Sequence, residues 1–95
     1  MTSKERAKLI SLAMHEEAIL SVGKSGVTPE FVQNADDALE ARELIKISVQ
    51  KNYFEPVKGV AYTIAGRTRS QVVQVIGRKF VLYRLSKTKK KHIEF

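Results

Sequence analysis

The chain contains no cysteine, which removes disulfide frameworks, thiolate zinc sites and cysteine nucleophiles and is compatible with a reducing cytoplasm. Histidine is almost as scarce. His15 and His92 are the only two, they lie at opposite ends of the chain in polar settings, and neither sits in a recognisable acid, metal or nucleophile arrangement. Glu16 and Glu17 are adjacent in sequence and so point apart. The expectation is a protein that is not an enzyme and uses no cofactor and no metal. Long apolar runs are also missing. Lys4, Glu5, Arg6 and Lys8, then Glu16 and Glu17, interrupt the N-terminal region before a membrane span or signal peptide could form. That pattern leads us to expect a soluble, cytoplasmic protein with no membrane partner. Glycine and proline are few, at five and two, while 43% of the 95 residues are hydrophobic, which separates the chain from collagen-like and disordered sequences. Its length suits one compact domain.

Negative charge is in deficit. Seventeen Lys and Arg stand against ten Asp and Glu for a net charge of +7, and a pI near 9.9 puts nucleic acid first among partners on electrostatic grounds. The imbalance is local. Residues 1–43 carry five basic and eight acidic side chains, whereas residues 44–95 carry twelve basic and two acidic.

Hydrophobic periodicity gives the order αβαβαββ. Thr2 or Ser3 can cap a first helix to about His15, with Leu9, Ile10, Ala13 and Met14 on one face. Ala18 to Val22 reads as a short strand closed by Gly23-Lys24-Ser25-Gly26. Thr28 followed by Pro29 is an N-cap with proline at the first helical position, opening a helix striped by Phe31, Val32, Ala35, Ala38 and Leu39. Leu44 to Val49 alternates as a half-buried strand with Lys46 and Ser48 facing out. Asn52 to Glu55 is expected to open a third helix, striped by Val57, Val60, Ala61 and Ile64 and ended by Gly66. Two β-rich runs, Gln71 to Ile76 and Lys79 to Arg84, flank Gly77-Arg78 in a hairpin spacing. From Ser86 onward the chain is Lys-rich, has no apolar period and is expected to fray. The fold class is therefore α/β: a single compact domain with a small mixed sheet packed against helices.

Gly23-Lys24-Ser25 invites comparison with a nucleotide phosphate loop, but the glycine required five positions earlier is replaced by Ala18 inside a strand. The same residues form a GxxG loop leading into the helix capped at Thr28. Two glycines let a sugar-phosphate backbone approach closely, Lys24 supplies charge, and the helix N-terminus supplies free N–H donors. KH domains grip RNA with such a loop. A strand-to-helix turn needs glycine too, so the loop by itself leaves both readings open. Arg42, Lys46, Arg78, Lys79 and Arg84 are candidate phosphate contacts, each also readable as a solvated charge, or for Arg42 as an ion-pair partner. Tyr53, Tyr62 and Tyr83 are candidates for base stacking, with core packing the other reading for Tyr83.

Taken together, Leu9 to Ala13, Gly23 to Thr28, Ala38 to Lys46, Val73 to Gly77 and Val81 to Arg84 resemble the signature blocks of the bacterial YhbY-type CRM domain. The resemblance implies an α/β RNA-binding domain similar to the C-terminal domain of translation initiation factor three. It further implies association with ribosomal RNA in precursors of the large ribosomal subunit; plant organelle relatives use the domain in group II intron splicing. On this reading Gly23, Lys24, Ser25, Gly26, Thr28 and the basic residues above contact RNA. The domain spans residues 1–86, residues 87–95 form a basic tail, and the chain acts as a monomer. The alternative is a protein-interaction module, in which the acidic face of the second helix, Asp36, Asp37 and Glu40, docks a basic ribosomal protein.

Overall fold

The computed structural model describes residues 1–95. Seven elements follow the expected order: α1 (Ser3–Ala13), β1 (Ala18–Val22), α2 (Pro29–Arg42), β2 (Leu44–Val49), α3 (Val57–Thr68), β3 (Gln71–Ile76) and β4 (Lys79–Tyr83). The strands form one sheet in the order β1-β2-β4-β3. β1 and β2 run parallel, and β4 lies antiparallel to both β2 and β3.

Local chemistry sets the helix starts. Thr2 closes a capping box with Glu5, the Thr2 hydroxyl accepting the Glu5 N–H and the Glu5 carboxylate accepting the Thr2 N–H. These bonds hold the Glu5 carboxyl below its ordinary range. Thr28 Oγ1 accepts the Phe31 N–H at 3.0 Å, and Pro29 occupies the first helical position. The third helix starts later and ends later than expected. Residues 50–56 form a loop, Pro56 is the N-cap, and the helix runs through Gly66 until Arg69 adopts the left-handed conformation. Proline's restriction on the residue before it keeps Glu55 out of the helix. Thr68 stabilises the final turn by donating to the Ile64 carbonyl at 2.8 Å.

Both sheet faces are used. α2 and α3 cover one, burying Ala35, Leu39, Val60, Ala61 and Ile64 against Ile45, Ile47, Val49, Phe80 and Leu82. Phe80 is fully enclosed, so truncating it to alanine is expected to cost about 3–5 kcal/mol. α1 covers part of the other face, where Leu9 and Ala13 meet Leu44, Val73 and Val81. Met14, just past the helix end, stays outside this cluster and is exposed. The edge strand β3 has a bulge between Val72 and Gln74, and the Arg6 guanidinium from α1 donates to the Val72 and Val73 carbonyls at 2.9 and 2.7 Å.

The tail contradicts the expectation of a frayed end. It has no helix or strand, yet Ser86 Oγ, the Lys87 and Thr88 N–H groups and Thr88 Oγ1 all donate to Glu40 Oε2 at 2.8 Å. The Thr88 and Ser86 hydroxyls, with the Thr88 and Lys87 backbone N–H groups, hold the Glu40 carboxyl at about 2. Farther along, the fully buried Glu43 carboxylate accepts from Ser86 N–H (2.7 Å) and Ile93 N–H (3.0 Å) and lies 2.6 Å from His92 Nδ1. Burial alone would raise the Glu43 pKa; these hydrogen bonds and the His92 charge outweigh it, and the net direction is down. Glu43 takes a positive φ of 67° at the end of α2. Ile93 packs on the α1 cluster, and Phe95 meets Tyr83 edge-on at 5.8 Å.

Candidate nucleic-acid interface

Because β1 and β2 are parallel and β4 is antiparallel to both of its neighbours, three connections emerge at one end of the sheet. They are the Gly23–Gly26 loop after β1, residues 50–56 after β2, and the Gly77-Arg78 turn between β3 and β4. The first is a closed turn: the Gly26 N–H donates to the Gly23 carbonyl at 2.9 Å, and Gly26 takes φ +71°. Lys24 and Ser25 lie exposed at its tip. The turn abuts its neighbour, since a Cβ on Gly26 would stand 3.1 Å from Tyr53 Cε1 and one on Gly23 would stand 3.2 Å from Gln50 Oε1.

Arg78 fixes the second loop. Its guanidinium donates to the carbonyls of Val49 (3.0 Å), Gln50 and Tyr53 (2.9 Å), while its own carbonyl accepts the Val49 N–H at 2.7 Å. The side chain therefore braces the loop with the donors that a phosphate would have used. Lys79 and Lys46 project from the face that α1 leaves partly uncovered, and with Met14, Gln74, Ile76 and Val81 they line a shallow cleft of about 90 Å³. Exposed Lys51 and Lys58 flank the loop before and after Pro56.

The ten sequence-predicted residues do not form one cluster. Gly23, Lys24, Ser25, Gly26, Thr28, Arg78 and Lys79 share the glycine-turn end, with Lys46 midway along β2. Arg42 and Arg84 lie at the opposite end, beside the start of β2, roughly one strand length of about 20 Å away. Arg84 is also committed internally. Its side chain is 17% exposed and pairs with Asp36 Oδ1 and Glu40 Oε1 at 2.5 and 3.2 Å. It donates as well to the carbonyls of Thr68 and Asp36. Asp36 and Glu40 of the expected acidic docking face are thus engaged inside the molecule, and Asp37 accepts from Gln33 Nε2.

The three tyrosines separate in the same way. Tyr53 is half-buried against the core and the glycine turn. Tyr83 packs at the far end with Phe95; burial, then the charges of Glu43 and Glu5, raise its phenol pKa. Tyr62 stands exposed on α3. The same end also presents exposed Lys51, Phe54 and Lys58, which the sequence reading did not single out; for the first two the available signal was the Lys-Asn-Tyr-Phe run one residue past β2.

The architecture defines the class: a single α/β domain of three helices on a four-stranded mixed sheet, with a glycine turn and a group of cations at one end. The chain belongs to the CRS1/YhbY (CRM) domain family, whose model matches residues 1–84. It is 44% identical over 90 residues to Probable RNA-binding protein YqeI of Bacillus subtilis, covering 95% of this chain and 94% of that one. An RNA-binding protein of Haemophilus influenzae is 31% identical, over 95% and 91% of the two chains. The solution structure of the hypothetical protein SAV1595 from Staphylococcus aureus matches with a TM-score of 0.82 at 44% identity, over 99% of this chain and 97% of that one.

Proposed function

We propose that this chain is a non-enzymatic RNA-binding factor of the cytoplasm. It works as a single copy, and the glycine-turn end holds the sugar-phosphate backbone of ribosomal RNA in precursors of the large subunit. The observation that carries this reading is the convergence of the Gly23–Gly26 turn, exposed at Lys24 and Ser25, with Lys51, Lys58 and Lys79 at one end of the sheet, and with Lys46 midway along β2 behind them. An exposed Lys24-Ser25 tip and a group of lysines without ion-pair partners together suit phosphate recognition, while the missing Cβ atoms of Gly23 and Gly26 make room for Gln50 and Tyr53. Membership of a family whose relatives are named as RNA-binding proteins supports the ligand class. The internal commitment of Asp36 and Glu40 to Arg84 and the tail does not favour a protein-docking role for α2.

The test is a salt titration of binding to large-subunit rRNA fragments, comparing wild type with a Lys24→Ala, Lys51→Ala, Lys79→Ala variant. All three side chains are exposed, so the fold should be retained. Each lost phosphate contact removes about 0.7–0.9 from the log–log salt slope, so the variant should lose roughly 2–3 units. An unchanged slope in the folded variant would refute the interface. Co-sedimentation with large-subunit precursors in a lysate gradient tests the ribosomal assignment.

A further inference from the structure

We propose that Phe54 is a stacking platform for one unpaired RNA base next to the phosphate-binding turn. The proposal deepens the RNA-binding reading and rests on it. Phe54 is 92% exposed, more than any other large hydrophobic side chain in the molecule. Its neighbour Tyr53 turns inward onto the core and against Gly26, so the loop directs one aromatic ring into the fold and leaves the next in solvent.

The loop that carries the ring is braced. Arg78 donates to three carbonyls around it, and the Tyr53 N–H donates to the Gln50 carbonyl at 3.1 Å. A braced backbone reduces the conformational freedom the loop must lose on binding, which favours a contact surface. Arg78 is in this sense a positioning residue. Tyr53, the residue before Phe54, lies against Gly26, so the loop that carries Phe54 adjoins the turn proposed to take the phosphates. Lys51 and Lys58 bracket Phe54 in sequence, with Glu55 the only acid in the loop. Cations beside an exposed ring complement a polyanion that carries flat faces. A duplex keeps its bases stacked inside, so the occupant is a single-stranded or looped-out nucleotide.

The chain has no tryptophan, so Phe54→Trp introduces a single fluorescent reporter. The probes are a mixed-sequence RNA oligonucleotide and the same sequence annealed as a duplex. We expect the indole emission of this variant to be quenched by the single strand and not by the duplex. Phe54→Ala and Phe54→Leu should each lower single-strand affinity roughly five- to hundredfold, the range for one stacked base, because neither retains a π face. Salt slopes and melting temperatures should match wild type, since no charge is altered and the ring is outside the core. Retention of affinity by Phe54→Ala, while wild type binds with a salt-dependent constant, would overturn the stacking role and leave the RNA-binding reading intact. Affinity kept by Phe54→Leu but lost by Phe54→Ala would mean a nonspecific apolar contact, also overturning it. Equal losses for single strand and duplex would do the same. Absence of RNA binding by wild type would overturn both.

Discussion

Replacing Glu43 by glutamine isolates what holds the C-terminal segment in place, because it changes one atom type and no lysine. The wild-type carboxylate serves three donors: Ser86 N–H and His92 Nδ1 at Oε2, and Ile93 N–H at Oε1. In the better of its two orientations the glutamine oxygen keeps the first two, and its NH2 group faces the Ile93 N–H. One charge-assisted bond, worth about 1.5–3 kcal/mol, is lost, and the other two each weaken by about 1 kcal/mol. Relief of the desolvation that a buried carboxylate suffers offsets part of this, leaving a net loss of about 2–3 kcal/mol. For a domain of this size that corresponds to a fall of roughly 10–20 °C in melting temperature. Thermal melts followed by circular dichroism at pH 7 measure it, and hydrogen exchange at the Ser86 and Ile93 amides locates it. The pH dependence supplies a second reading. Glu43 has a folded pKa below its ordinary 4.5. Its contribution is therefore present in full above that value and is lost as pH falls through the lowered folded pKa. The gap between wild type and Glu43→Gln should close on acidification. A variant that melts within about 3 °C of wild type at pH 7, with both amides still protected, would refute the anchoring role.

Arg84→Lys should lower stability by about 1–3 kcal/mol, because an ammonium cannot span Asp36, Glu40 and the Thr68 carbonyl; the melt should shift while the RNA salt slope does not. Arg78→Ala should speed hydrogen exchange at the Tyr53 amide and weaken RNA binding, with Arg78→Lys failing to restore either. Gly26→Ala should cost about 1–2 kcal/mol by thermal melt, since φ is +71° and Tyr53 lies 3.1 Å from the new Cβ. Gly66→Ala, inside α3 with open space around it, should instead stabilise by about 0.5–1 kcal/mol.

The elements were legible wherever periodicity and caps agreed. Thr28-Pro29 marked the start of α2 and the alternation of Ile45, Ile47 and Val49 marked β2, and both appear as expected. The start of α3 was misplaced because Asn52 and Glu55 have the spacing of a helix cap and its third residue, whereas Pro56 and the carbonyl bonds to Arg78 keep the segment a loop. The site was only partly legible. Periodicity orders residues along one element, but the direction of each strand decides which loops meet, and that direction puts Arg42 and Arg84 at the far end. The tail was hidden for a related reason. Its apolar residues, Ile93 and Phe95, have no period of their own, and its anchors Glu40 and Glu43 lie far earlier in the chain.

The two irregular strands, β1 and β3, are also the two outermost, whereas the central β2–β4 pairing has an unbroken register. A strand arriving from another molecule needs a straight row of free amide and carbonyl groups to zip against. At β3 it would meet a kink, and it would find the Val72 and Val73 carbonyls already taken by Arg6. At β1 it would meet a register shift between Ala18 and Leu20 within a strand of only five residues. Neither margin offers a template for intermolecular strand growth. The domain can thus be crowded at high local concentration without its edges seeding aggregates.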